Sequence, residues 1–409
     1  ANFLAYGNKL YVVRAANTTS TNTSVVVRNA VANTSTLSNW SNGEADVAAY
    51  VVKNGDDYTN RLSSIQGGDP DVAWIAKYPG ELGNSLKISV CETANAYSHT
   101  MSLDNGGGNI NSTSTATYAT INVGSSVLTV NIAVGNGVIA NAVTWATTLN
   151  QRTQTGDYIE VGNSTIGTQY MKVLSVSAVT NTSTVATFSV TFDDVYGLAA
   201  NFTSTSYTRK WEYFNTVDGA PGTSAYQTAH GNTSVVDEVH VVVADEDGKV
   251  TGIPGTILEV FKNISRATDA KTEDGATNYM KNVINDTSNY VWWVRDSSTG
   301  ASDVASALVA STANIPKTLS FQGGTDGLDE NNASLATLLA GYDLFASAEN
   351  VDVSLVLTGT SRGGTNGEQL ANYLIDNIAE TRKDCVVFVS PQKADVVNNA
   401  GSESTDVVT

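Results

Sequence analysis

The chain has 409 residues, of which 41% are hydrophobic and only 15% charged, and its 40 acidic against 22 basic side chains leave a formal net charge of −18. That length exceeds one ordinary core and implies two to four domains. The acidity opposes binding to phosphate backbones or anionic headgroups, which excludes direct nucleic-acid contact and a membrane-surface role.

Asn, Ser and Thr stand where charges usually do, a composition that favours β structure with polar outer faces. No run approaches the ~18 apolar residues of a membrane helix, so membrane insertion is not expected. The stretch Val127 to Trp145, the nearest to one, is broken by Asn and Gly. Ala1 lies inside an apolar pattern without signal-peptide features, so the sequence is expected to begin within an element.

In chain order, "ANFLAYGNKLYVVRAA" predicts a helix end, a turn and a strand from Leu10 to Ala15. The polar Asn17–Ser24 stretch reads as a linker, and "GEADVAAYVVKNG" as a short helix. "DVAWIAKYPGELGNSLKISVC" predicts two strands joined by a turn at Pro79-Gly80. From Asn105 to Tyr207 helix signal is almost absent, and strand-length runs alternate with Gly/Asn/Thr turns; this predicts an all-β sandwich or small barrel. "EVHVVVADEDGKVTG" reads as a hairpin turning at Asp247-Gly248. "GTILEVFKNIS", "GATNYMKNVIND" and "NYVWWV" then predict α+β structure. "NASLATLLAGYDLFASA" is a helix with Asn332 as its N-cap. Last, "VDVSLVLTG", "GEQLANYLIDNIAETRK" and "DCVVFVSP" spell strand, helix and strand, a βαβ unit of a parallel sheet with buried strands.

The one catalytic-looking motif is Gly359-Thr360-Ser361-Arg362-Gly363, a G-x-S-x-G between strand and helix. A nucleophilic Ser361 needs a base within hydrogen-bond reach. The three histidines, His99, His230 and His240, all precede it, against the order of an α/β-hydrolase. The loop reads as a helix start in which Gly allows the turn and Ser or Thr caps it. It matches no P-loop or dinucleotide fingerprint, and Arg362 reads as a surface side chain. "DEDGKV" (Asp245 to Val250) lacks calcium-loop spacing, and "TDGLDENNAS" (Thr325 to Ser334) places carboxylates before a helix, where the dipole favours them. Cys91 and Cys385, both in apolar runs and far apart, read as buried hydrophobes, not as a disulfide or zinc site. The N-x-[ST] triplets, among them Asn111, Asn163, Asn201, Asn263 and Asn332, follow from composition. No catalytic, cofactor-binding or metal residues are assigned, and no cofactor is expected.

Three stretches in order, "NFLAYGNKLYVVRAA" (Asn2 to Ala16), "WIAKYPGELGNSLKISV" (Trp74 to Val90) and "RKDCVVFVSP" (Arg382 to Pro391), resemble the contractile tail sheath protein of T-even-like (myovirus) bacteriophages. The Tyr-Pro-Gly-Glu-Leu-Gly core is the most specific of them, and is read as an architectural turn between domains. Residues 18–70 and 105–208 carry no matching motif and fall where this family inserts variable outer domains.

The resemblance implies a structural virion protein and not an enzyme. Its subunits would stack as hexameric rings around a tail tube, in contact with tube, baseplate and neck or terminator proteins, and contract to drive the tube into the host. Assembly would take place in the host cytoplasm. It also implies a further arm upstream and a C-terminal domain after Thr409. The expected fold is multidomain α+β with nested insertions. Residues 1–17 and 320–409 form a discontinuous α/β base domain, and 18–70 a small variable insertion. Residues 71–104 and 209–319 form an α+β middle domain, and 105–208 a β-rich outer domain inserted into it. The rival reading is a secreted, surface-layer or adhesin-type β-rich structural protein.

Overall fold

The computed structural model describes residues 9–15, 27–33, 51–68, 72–101, 115–118, 124–133, 138–163, 167–194, 196–197, 199, 207–296, 315–327, 333–361, 364–397 and 399–406. The Asn17–Ser24 stretch, residues 43–50 of the expected early helix, Asn111, Asn201, Asn332 and Arg362 lie outside them.

Two four-stranded antiparallel sheets form the centre. The first runs Val291–Trp293, Val72–Pro79, Val27–Asn33, Thr325–Asp326, and the second Thr256–Ser265, Glu238–Asp245, Leu86–Cys91, Lys317–Ser320. They pack face to face. Trp74, Ala76, Val291 and Trp293 of the first meet Ile88, Val90, Val239, Val241 and Val243 of the second, with Met280 and Ile284 of helix Met280–Thr287 in the same core.

Each sheet is also covered on its outer face. Helix Gly55–Gly68 lays Tyr58 and Ile65 against Val31, Val72 and Ile75. Across the molecule, Trp211, Tyr213 and Phe214 cover Val242 and Ala244. Central strands buried on both faces read as continuous apolar runs and not as alternation, which is the reason for "DVAWIA" and "VHVVVA".

Helix Gly55–Gly68 begins where the sequence placed the end of a helix. Asn54 Oδ1 accepts from the Asp57 N–H at 2.9 Å, and Asp56 and Asp57 occupy the positive first turn. This local N-cap chemistry starts the helix at Gly55, after the non-helical residues 51–53.

Between Met101 and Tyr207 the chain leaves the sandwich to build one antiparallel sheet. Its order is Ser98–Met101, Tyr207–Lys210, Tyr158–Asn163, Gly167–Val176, Val185–Phe192, Val127–Ala133, Thr115–Tyr118. The expectation of an all-β domain is corrected here by helix Ile139–Arg152, which closes one face of the sheet with Ala142, Trp145, Ala146 and Leu149. That spacing of three, one and three is a helical stripe. It is masked by threonines, which ordinarily favour strands. Thr144, Thr147 and Thr148 instead turn their hydroxyls back to the carbonyls of Ala140, Val143 and Thr144, at 2.8 to 2.9 Å.

The last segment is the expected βαβ unit. Strands Leu355–Leu357 and Val386–Phe388 pair in parallel. Helix Gly364–Tyr373 connects them, continuing through a wide turn over Leu374–Ala379 to Arg382. Helix Leu335–Asp343 packs beside it, capped by Ser334, whose side chain accepts from the Thr337 N–H. Among the described residues no helix is long and apolar enough to cross a membrane.

The two central sheets are joined at Pro79–Ser85. Gly80 adopts φ +138, and a Cβ there would fall 2.5 Å from Asp326 Oδ1 and 3.0 Å from Arg14 Nη1. Gly80→Ala is expected to destabilise the sandwich by about 1–3 kcal/mol, from backbone strain plus this clash, without changing the helix content of the inserted domain. Urea unfolding followed by tryptophan fluorescence, against far-UV circular dichroism, measures both.

Candidate functional site: the sheet joint and the apolar face beside it

After strand Val72–Pro79 the backbone drops from the first sheet to the second through a single 3-10 turn, Glu81–Ser85, and runs on as Leu86–Cys91. The crossing is close enough that a Cβ on Gly83 would lie 2.9 Å from Ala30 Cβ and 3.0 Å from Ala76 Cβ. The Pro-Gly-Glu-Leu-Gly spelling therefore reports steric demand: small residues stand where two layers of backbone meet.

The opening segment is fastened to this joint. Arg14 Nη1 donates to Pro79 O at 2.6 Å, and Nη2 to Asp326 O at 2.8 Å and Asp326 Oδ1 at 3.2 Å. Asp326 also accepts from the Glu81 N–H at 3.0 Å. The acidic stretch that begins at Thr325 thus contributes an anion that organises a turn and an arginine. Beside it, Asn84 Nδ2 donates to Gly324 O and Asn84 Oδ1 accepts from the Gly324 N–H, at 2.9 and 2.8 Å.

From Arg14 backwards, Lys9–Ala15, expected as a strand from Leu10 to Ala15, lies in neither helix nor sheet. It forms one wall of a cleft of about 1180 Å³ whose other walls are strand Leu355–Leu357 and helix Leu335–Asp343. Tyr11 meets Phe345 edge-on, with ring centroids 6.3 Å apart. The strands expected to be buried are covered on one face only. Val356 is buried, while Leu355, Leu357, Val386 and Phe388 are 50%, 60%, 57% and 53% exposed. The register pairs Leu355 with Val386 and Leu357 with Phe388, so these four side chains make one apolar face. Parallel sheets ordinarily have both faces covered, so an exposed apolar face of this kind marks an interaction surface.

Arg382, which opens the third motif, holds the module together. Its side chain is fully buried, takes Asp384 through Nε and Nη2 at 2.9 and 3.0 Å, and donates to the carbonyls of Phe345 and Val351, each at 2.9 Å. This forked geometry suits arginine and not lysine.

The residues considered for catalysis are not brought into a constellation of that kind. Ser361 precedes helix Gly364–Tyr373, after Gly359 at φ +71. His240 is fully buried: Nε2 donates to Gly219 O at 3.0 Å, Nδ1 accepts from the Asn263 N–H at 3.1 Å, and the ring stacks over Trp211. Burial holds its pKa below the ordinary value, so it is a neutral core residue. His230 Nδ1 pairs with Tyr226 O within its own helix turn. His99 is buried opposite Arg209. Cys91 is buried, and burial pushes its thiol up, away from reactivity. Cys385 is half-buried, and both thiols are free. Among the described residues no group of three or more His, Cys, Asp or Glu could hold a metal ion.

"DEDGKV" is a structural loop too, and longer than the expected two-residue turn. Strand Glu238–Asp245 ends and Thr256–Ser265 begins with residues 246–255 between them, where Gly248, Gly252 and Gly255 all take positive φ. Asp245 is the peg on which this loop folds. It accepts from Ser85 Oγ at 2.6 Å, the N–H groups of Val250 and Thr251 at 3.0 and 2.7 Å, and Thr251 Oγ1 at 2.8 Å. Burial alone would raise its pKa, but these donors outweigh burial and hold the carboxyl below its usual range.

A carboxylate with a lowered folded pKa contributes stability above its unfolded pKa, and loses it as pH falls through the folded one. Asp245→Asn is therefore expected to cost about 1–3 kcal/mol at pH 7 and progressively less as the wild-type carboxylate protonates below about pH 4. Denaturant midpoints of the two proteins between pH 3 and pH 7 should converge at the acid end.

Comparison with known proteins adds identity to this geometry. No family model matches the chain, and no solved structure does. It is 24% identical over 361 residues, 82% of its length, to the tail sheath protein of Salmonella phage ViI. It is 32% identical over 80 residues, 19% of its length, to the tail sheath protein of Vibrio phage KVP40. It spans less than half of either relative, 45% of the first and 11% of the second. Those names are of a structural part of a virion tail, not of an enzyme. The resemblance to tail sheath proteins is thus borne out: over 82% of its length this chain is similar to one such protein, and over a shorter stretch to a second.

Proposed function

We propose that the chain is part of the subunit of a contractile bacteriophage tail sheath, which stacks as hexameric rings around the tail tube and shortens to drive the tube into the host. The observation that carries this reading is the similarity over 82% of the chain to a tail sheath protein. In support, the three motif stretches contribute to structural joints, the Arg14 anchor, the sheet joint and the Arg382 clamp. A sheath stores its energy in the contacts between rigid subunits and releases it when those contacts rearrange, which needs bistable interfaces and no nucleotide. Stacking also requires one surface to meet a different surface on the next ring. The open apolar face of Leu355, Leu357, Val386 and Phe388 is a candidate for a covered surface of this kind.

In this reading the βαβ module and the opening segment belong to a base domain on the inner side, as the nested division 1–17 with 320–409 supposes. The sandwich is the middle domain, and the hydrogen bonding of Val27–Asn33 favours counting that strand with it. The sheet between residues 98 and 210 is the outer domain. The partners are further copies of the same subunit, the tail tube, and the baseplate and neck or terminator proteins. The place of action is the virion tail, after assembly in the host cytoplasm.

The full-length gene product, expressed alone and imaged in negative stain, is expected to form tubes with six-fold cross-sections. Dispersed particles at every concentration and salt condition would remove the reading, and filaments without six-fold rings would favour a surface-layer protein.

A further inference from the structure

The inserted domain leaves the sandwich through two strands, one entering after helix Ala94–Tyr97 and one returning at Lys210. Domains attached in this way hinge freely unless their junction is tied by interactions with directional geometry. Here the junction is tied at three levels.

At its centre lies Arg209, with no exposed surface. Nη1 donates to Ala96 O at 2.9 Å and lies 3.3 Å from Asp157 Oδ2, and Nη2 donates to Asn95 O at 2.6 Å. One guanidinium thus holds the helix at the neck and a carboxylate of the inserted domain. Asp157 Oδ1 reaches in the opposite direction, accepting from the Glu212 N–H at 3.1 Å. Glu212 in turn spans the boundary. Its carboxylate lies 3.0 Å from Lys87 Nζ in the sandwich strand Leu86–Cys91 and 3.6 Å from Lys172 Nζ in the inserted strand Gly167–Val176. Gly156, at φ +93, leaves room for that carboxylate, since a Cβ there would stand 2.9 Å from Glu212 Oε2.

The third level is aromatic. Phe214, from the segment that covers the second sheet, meets Tyr158 and Tyr170 of the inserted domain with ring centroids 5.6 and 5.0 Å apart. Trp211 Nε1 donates to Ser89 Oγ at 2.8 Å, which fixes the returning strand to the sandwich.

We infer that Arg209 and Glu212 lock the inserted domain onto the sandwich, so that the two move as one rigid body, and that Glu212 is the residue that sets the angle between them. Exposed ion pairs hold little, but a buried arginine with fixed carbonyl and carboxylate partners has one geometry that satisfies it and loses much when displaced. The lock is a property of the single chain and does not depend on assembly.

Pulsed electron spin resonance tests it on the full chain, with nitroxides on cysteines placed at Thr182 and Lys249 and with Cys385→Ser to leave the buried Cys91 alone. The native neck should give one narrow distance distribution. Glu212→Gln is expected to widen it about twofold, as one charge leaves both lysines unpaired. The triple reversal Lys87→Glu, Lys172→Glu, Glu212→Lys should narrow it again. Should Glu212→Gln not fold, Lys172→Met, which removes only the outer arm, takes its place with the same expected widening. A distribution already broad in the native protein, or one unchanged in a folded Glu212→Gln or Lys172→Met protein, would overturn the lock.

Discussion

Everything in the sandwich depends on one steric constraint, the crossing of the backbone from one sheet to the other within Pro79–Ser85. Two sheets normally stand about 10 Å apart, and the turn that joins consecutive strands across that gap presses against the backbone of both layers, with Gly83 and Ser85 buried and Leu82 exposed. Gly80 and Gly83 meet the demand with an absent Cβ, and Gly324 approaches from the opposite strand, where a Cβ would run into the Gly80 carbonyl oxygen. Because the crossing is this tight, it also becomes the place where distant segments can be fastened. Arg14 and Asp326 are 312 residues apart and meet on its outside.

The chain is thus organised by a few polar clamps around apolar layers. Arg14, Arg209 and Arg382 each take a carboxylate together with backbone carbonyls. Arginine suits the task because one planar fork fixes several oxygens at once, which sets an angle between elements as well as a distance. In the proposed sheath, fixed angles inside the subunit would leave motion to the contacts between subunits.

Much of this was legible in the sequence. Strands buried on both faces read as unbroken apolar runs, and the βαβ unit declared itself by runs of Val and Leu around an amphipathic helix. The helix within the inserted domain was hidden because its threonines resemble strand residues until their hydroxyls are seen bonding backwards along the helix, although Ala142, Trp145, Ala146 and Leu149 carried the stripe. The start of helix Gly55–Gly68 is spelled by Asn54 followed by two aspartates, a plain signal that the apolar run before it outweighs in a reading by pattern. The long loop at Asp247-Gly248 was missed because Asp245 acts through Ser85, a partner 160 residues away that no local pattern reveals. The exposure of Leu355, Leu357, Val386 and Phe388 could not be read either, since a strand covered on both faces and one awaiting a cover have the same spelling. For Ser361, the motif was present while the order of the histidines already argued against a triad.

In the proposed reading, this chain is a rigid structural body whose joints are closed internally and whose working surfaces face other copies. Cryo-electron microscopy of the intact tail before and after contraction tests that most directly. The sandwich, neck and inserted domain should superimpose between the two states as one unit, with the displacement confined to contacts between subunits. A changed angle at Arg209 and Glu212, or a sandwich opened at Pro79–Ser85, would show that the subunit itself deforms and is not rigid.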